Sequence, residues 1–165
     1  MSDKDLVTKR PTGIFRWLLR FPIVMYRLGL GGLLGGRFML IHHIGRKSGQ
    51  ARQAIVEVIR HDKASDTYFA ASGWGYNAHW YRNLVATPEV MIHVGRREFA
   101  VTAETISAEQ GAEILIAYRQ KHQFAADQLG QVMGLDIGHA PIEELETMIR
   151  ESLPIVGFRR VANRT

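Results

Sequence analysis

The sequence predicts an α+β domain: a small antiparallel β-barrel of about six strands with helices packed on it. Three observations lead there. Short apolar or alternating runs between residues 37 and 106 are separated by turns bearing Gly, Asp or Asn. That is the pattern of hairpin-connected strands rather than of strand–helix crossovers. Helical periodicity is confined to the start, the middle and the end of the chain. Finally, 165 residues without a cysteine suit one domain whose core is held by burial and not by disulfides.

The elements follow in order. Residues 1–12 are polar and are expected to fray. Thr12 is placed to cap a helix over residues 13–28. Its apolar positions Ile14, Trp17, Leu18, Phe21, Met25 and Leu28 recur every three or four residues, with Arg16, Arg20 and Arg27 mostly off that face. Pro22 kinks or breaks it. Two readings of this helix stand: its apolar face covers one end of the barrel, or the basic amphipathic helix lies on an anionic membrane surface. The glycines at 29, 31, 32, 35 and 36 follow no strand and lack dinucleotide-binding spacing, so they predict a loop of close backbone approach.

Strands are predicted near 38–44, 53–61 and 67–72, with a turn over 62–66. In the second, Glu57 shares a face with Ile55 and Ile59, which predicts a basic partner. The third ends in the small-residue loop Ala70 to Asn77. Asn77 is placed to cap a short helix over 79–86, and Pro88 forbids its continuation. Strands at 89–95 and 97–106 meet at Gly95-Arg96. Ser107, with Gln110 three residues on, fits the capping box of a helix over 108–122. One more short helix falls within 123–139. Pro141 opens a last helix whose first turns hold Glu143, Glu144 and Glu146, matching the helix dipole, and residues 153–158 form a closing strand.

Charge is divided unevenly. Residues 1–60 hold eleven Lys/Arg against three Asp/Glu, a net +8, and the remainder ten against thirteen, a net −3. A basic half suits nucleic acid, an anionic membrane or an anionic small ligand. No helix-turn-helix, finger or RNA-binding aromatic motif is present, which argues against nucleic acid. Arg27 and Arg37 interrupt the apolar stretch from Phe21 to Ile41, so it does not read as a membrane span. The acidic residues at positions 3 and 5 do not suit a secretory signal, and a cytoplasmic protein is expected, with residues 13–28 as the candidate membrane contact. Seven histidines show no ligand spacing, and no nucleophile elbow surrounds Ser48 or Ser72, so neither a metal centre nor hydrolysis is supported.

The loop that joins the first two strands carries the chemistry. Arg46, Lys47 and Arg52 surround the hydroxyl of Ser48, and Gly45 and Gly49 permit positive backbone dihedrals that would let successive amides converge. Such a loop suits a phosphate or carboxylate, gripped bidentately by arginine. It also reads as a solvated turn carrying charge for solubility. Trp74, Tyr76, Trp80 and Tyr81 cluster beyond it, either as packing or as the wall of a planar cofactor's cleft.

Gly45-Arg46-Lys47-Ser48-Gly49 with Arg52, then Ala71-Ser72-Gly73, Trp80-Tyr81-Arg82-Asn83-Leu84 and Pro88-Glu89-Val90, resembles the deazaflavin-dependent nitroreductase family. The likeness runs from about residue 37 to 106 and resumes at Leu153-Pro154-Ile155-Val156. It implies a small antiparallel split β-barrel and coenzyme F420. By that resemblance, Arg46, Lys47, Ser48, Gly49 and Arg52 would hold the cofactor's phosphate and oligoglutamate tail. Ala71, Ser72, Gly73, Trp80 and Asn83 would border the deazaflavin ring. The expected activity is hydride transfer from reduced F420 to a small electron-poor acceptor, an enone, imine or nitro compound, with the cofactor carrying the chemistry. Ser72, Tyr76 and Tyr118 are the candidates for proton delivery. The loop before Trp80 is shorter than in the nitroimidazole-reducing members and has no proline, so the cofactor carries over better than the substrate. Two other readings compete: an F420 carrier or membrane-surface module without turnover, and a split barrel that binds flavin mononucleotide (FMN). The resemblance allows a monomer or a homodimer.

Overall fold

The structure is a computed structural model, and it describes residues 27–29 and 31–162. Most of the helix expected over 13–28, and the segment 1–12, lie outside the described residues. The described strands are β1 (Phe38–Ile44), β2 (Ala51–Glu57), β3 (Arg60–Asp62), β4 (Thr67–Ala71), β5 (Glu89–Val94), β6 (Arg97–Thr105) and β7 (Ile155–Arg160). The helices are α1 (His79–Ala86), α2 (Ala108–Lys121), α3 (Gln123–Met133) and α4 (Ile142–Glu151). All strand pairs are antiparallel, and the sheet order is β2-β1-β5-β6-β7-β4-β3.

The two edge strands, β2 and β3, are consecutive in the chain and separated only by Val58 and Ile59. Over that corner the backbone changes partner. Glu57 is still paired with Phe38 of β1, Val58 N–H donates to the Arg37 carbonyl, Ile59 N–H donates to the Phe69 carbonyl, and Arg60 is paired with Phe69 of β4. One long strand was expected here. The structure breaks it in two, because the chain itself must turn from one sheet edge to the other to curl the sheet into a barrel. This gives seven strands instead of six.

Alternation sorts the side chains into two cores. Met39, Ile41, Val56, Ala70, Ile92, Val101 and Phe158 fill the barrel interior. Phe69 and Ile155 point outward, where Leu115, Leu145 and Ile149 of the helices cover them. Each fully buried large side chain of this kind stabilises the fold by roughly 1.5–3 kcal/mol. The α2 start agrees with its capping box: Gln110 N–H donates to Ser107 Oγ at 3.2 Å. The α1 start does not agree. Its N-cap is Ala78, without a side-chain bond, and Asn77 ends a single 3-10 turn over Gly75–Asn77. Among the described residues, no helix is long and apolar enough to cross a membrane.

Candidate functional site

The strand register brings one set of strand ends to a common mouth. Ile44 pairs with Ala51, His42 with Met91, Val90 with Val101, Thr105 with Val156 and Ala71 with Ile155. So the β1–β2 hairpin, the end of β4 and the start of β5 surround the same opening, and α1 caps it. Tyr81 of α1 shares a hydroxyl–hydroxyl bond with Thr105 at 2.9 Å, and Leu84 joins the barrel core. Arg46, Lys47, Ser48, Gly49, Arg52, Ala71, Ser72, Gly73, Trp80 and Asn83, scattered over 38 positions of sequence, all lie around this mouth.

The hairpin is organised differently from the expected cradle of amides. Gly45 N–H donates to the Gln50 carbonyl at 2.9 Å and Gly49 N–H to the Gly45 carbonyl at 2.8 Å. Gln50 N–H donates to Ser48 Oγ at 3.3 Å, and Arg46 N–H donates to Asn83 Oδ1 at 3.1 Å. Those four amides are therefore committed within the protein. The loop also presents side-chain donors: the two arginines, exposed Lys47, and the Ser48 hydroxyl, whose proton is not used by its bond to Gln50. Gly49 has φ +67°, where a glycine avoids the strain other residues would carry. Arg52 is steadied by Gln50 Oε1 at 3.0 Å.

Asn83 fastens the hairpin to α1. Its Oδ1 accepts from the Arg46 amide and from Arg46 Nη1 at 3.0 Å, while its Nδ2 meets His43 Nδ1 at 3.0 Å. Both His43 and Asn83 are only 5% exposed. Burial, then the charge of Arg52 and the neighbouring His42, push the His43 ring down to a pKa of about 4, so it is neutral at ordinary pH. Sequence reasoning missed His43 as a site residue. Its parity with Met39 and Ile41 marks it as inward-facing, but nothing local points to Asn83.

The remaining expected residues fall out as follows. Ser72 is fully buried, and its hydroxyl donates to the Gly75 carbonyl at 2.8 Å, closing the loop before α1. Tyr76 donates to the Ile149 carbonyl at 2.9 Å, tying the same loop to α4. Both hydroxyl protons are thus held by backbone acceptors. Tyr118 is a correction of a different kind: the structure does not bring it to the mouth. It donates to Glu57 Oε1 at 2.8 Å, beside Arg37 at 3.6 Å, at the other end of β2. Five residues of strand, about 17 Å, separate Glu57 from Arg52. Burial and then the Glu57 carboxylate raise the Tyr118 hydroxyl well above the usual phenol range, and it lines a separate cavity of about 610 Å³ with Arg60 and Lys121. Glu57 thus has the basic partner its position predicted. Of the aromatic cluster, Tyr81 is buried, Trp80 half-buried against the barrel core, and Trp74 and Tyr76 are exposed.

A cleft of about 1200 Å³ opens beside the hairpin, lined by His42, His43, Ile44, Arg52, Gln53 and Met91 among others. Arg46, Lys47, Ser72 and Trp80 are not part of its lining. Among the described residues, no group of three or more His, Cys, Asp or Glu could hold a metal.

Comparison with known proteins gives the family. The model of the F420H(2)-dependent quinone reductase family matches residues 21–130, the stretch holding the hairpin, the end of β4 and α1. The chain belongs to the F420H(2)-dependent quinone reductase family. An F420H(2)-dependent quinone reductase of Mycobacterium tuberculosis (strain ATCC 25618 / H37Rv) is 34% identical over 95 residues. That alignment covers 54% of this chain and 63% of the relative, so the chain spans less than two thirds of its length. Among solved structures, a protein of unknown function from Agrobacterium tumefaciens str. C58 shares the fold at a TM-score of 0.52 and 10% identity, over 94% of this chain and 58% of that one. A structure described as an F420-H2 dependent reductase gives a TM-score of 0.45 at 19% identity, over 74% of this chain and 94% of that one.

Proposed function

We propose that this member of the family is a reductase that takes a hydride from reduced coenzyme F420 and delivers it to a quinone or a similarly electron-poor small molecule. The observation that carries the reading is the cationic hairpin locked by Asn83 onto the helix that caps the barrel mouth. Family membership adds the cofactor's identity. The residues present fit that cofactor chemically. Its phosphate and glutamate tail are anionic, and Arg46, Lys47, Arg52 and the Ser48 hydroxyl offer charge-assisted donors on one loop. Ala71 and Gly73 are small, which lets a planar ring approach the backbone at the end of β4.

When bound, reduced deazaflavin supplies the hydride. The protein's share is placement. The hairpin would hold the anionic tail, Asn83 fixes that hairpin to α1, and the buried floor of the barrel would keep water from one side of the mouth. A quinone is an electron-poor acceptor of the class expected from sequence, although enone, imine and nitro compounds were the acceptors anticipated there.

The test is steady-state oxidation of reduced F420 with 2-methyl-1,4-naphthoquinone as acceptor, followed by the return of oxidised-deazaflavin absorbance. Turnover that falls at least tenfold in Arg46→Ala supports the reading. Binding without turnover with quinone, enone or nitro acceptors would favour a carrier, and a co-purified ligand with a flavin spectrum would favour FMN.

A further inference from the structure

We infer that His43 is a positioning residue of the cationic hairpin: acting as a neutral acceptor, it fixes which way the Asn83 amide faces, and that orientation holds Arg46 in place to grip an anion. The anion-gripping part rests on the function proposed above. The orientation part rests on hydrogen-bond chemistry alone.

An amide has an accepting end and a donating end, and its neighbours decide which way it lies. The Arg46 backbone N–H and guanidinium can only donate, so they require Asn83 Oδ1, and both reach it, at 3.1 and 3.0 Å. Asn83 Nδ2 must then face His43 Nδ1, 3.0 Å away, and that nitrogen must be an acceptor. The ring is therefore neutral, with its proton on Nε2. Were His43 to present a donor instead, the two N–H groups would oppose each other. Either that clash would persist beside Asn83, or the amide would turn over and Arg46 would lose both bonds at once. With both partners buried, a mismatch cannot be relieved by water, so the polarity is strict. The charged and titratable groups near the ring support the neutral form: Arg52 across the strand pair, Arg46 beyond Asn83, and His42, the next residue of β1, on the opposite face of the strand. The sequence spans this relay in three separate pieces, a strand, a loop and a helix.

The relay can be read without any cofactor. In His43→Gln the side-chain carbonyl can still accept from Asn83, whereas in His43→Leu nothing can. Hydrogen exchange of the Arg46 amide is expected to speed up at least tenfold in His43→Leu and to return toward the wild-type rate in His43→Gln. Equal exchange in the two variants overturns the proposal. Asn83→Asp provides a second arm in case the leucine variant does not fold. A carboxylate would satisfy Arg46 and also welcome a donor from His43. The ring's titration, followed by its NMR carbon shifts, is then expected to move up by more than one unit. A titration unchanged from wild type overturns the polarity rule. On the ligand side, His43→Leu is expected to weaken F420 binding about tenfold, and Arg46→Ala to add little on top of it. Full additivity of the two losses overturns the coupling. Failure of the wild-type protein to bind F420 would remove the proposed function, and the exchange and titration arms would still decide the polarity rule.

Discussion

A histidine buried between a strand and a helix costs stability when it is forced to ionise, and His43 is such a residue. Its folded pKa of about 4 lies below the unfolded value near 6.5. Between those limits the unfolded chain binds more protons, so the contribution is fully present above about pH 6.5 and is lost as pH falls toward 4. The shift corresponds to ~3 kcal/mol at most. Urea unfolding across this window is expected to show a flatter pH dependence in His43→Gln than in wild type, and parallel curves would contradict it. Tyr118 makes the contrasting case. It is only 3% exposed and donates to a carboxylate, so Tyr118→Phe is expected to cost about 1–2 kcal/mol of stability. Because it sits at the opposite end of β2, F420 affinity in this variant is expected to stay within twofold of wild type. A tenfold loss would mean that the mouth and the far end are coupled.

At the scale of elements, what the sequence revealed depended on how local the cause was. The hairpin was legible because two glycines and three cations stand within eight positions, and α2 because Ser107 and Gln110 sit three apart. The β2–β3 corner was not legible. Residues 54–60 hold no Gly, Pro or other turn residue to end a strand, and the break comes from a change of partner that only the closed sheet imposes. Nor was the relay, since Asn83 and His43 lie 40 residues apart. The bonding of the loop's amides was not legible for a related reason: those of Gly45 and Gly49 are used within the turn, while that of Arg46 goes to Asn83 on a distant helix. Gly45 tests the hairpin as a unit. A Cβ there would stand 2.6 Å from Ser48 Oγ, so Gly45→Ala must displace the hydroxyl that accepts from Gln50. Losing that bond, worth about 0.5–1.5 kcal/mol, is expected to weaken F420 binding two- to tenfold. Since the loop is exposed, its melting temperature should move little. Unchanged affinity would show that Ser48 has no part in the loop's order.

Across the whole molecule, the two ends of the barrel differ: the proposed site lies at one, and ion pairs tie the other. At the far end Asp66 accepts from Arg97 at 2.7 Å and Arg160 at 3.2 Å and bonds His61 at 3.0 Å, joining the β3–β4 turn to β6 and β7. These partners, Arg97 first, hold its carboxyl well below the usual carboxylate range. A depressed folded pKa gives stability that is present above about pH 4 and is lost as pH falls below it. Asp66 also adopts φ +49°, which asparagine tolerates, so Asp66→Asn removes charge without disturbing the turn. A loss of about 1 kcal/mol, or about 3 °C in Tm at neutral pH, is expected, with a shallower acid limb. An unchanged Tm would mean the far-end ion pairs are ornamental. The mouth bears the functional claim, and equilibrium titration of F420 into the protein, followed by quenching of deazaflavin fluorescence, tests it most directly. Saturable binding, weakened at least tenfold in Lys47→Ala combined with Arg52→Ala and untouched in Tyr118→Phe, is the expected result. No saturation, or equal affinity with and without those two cations, would contradict it.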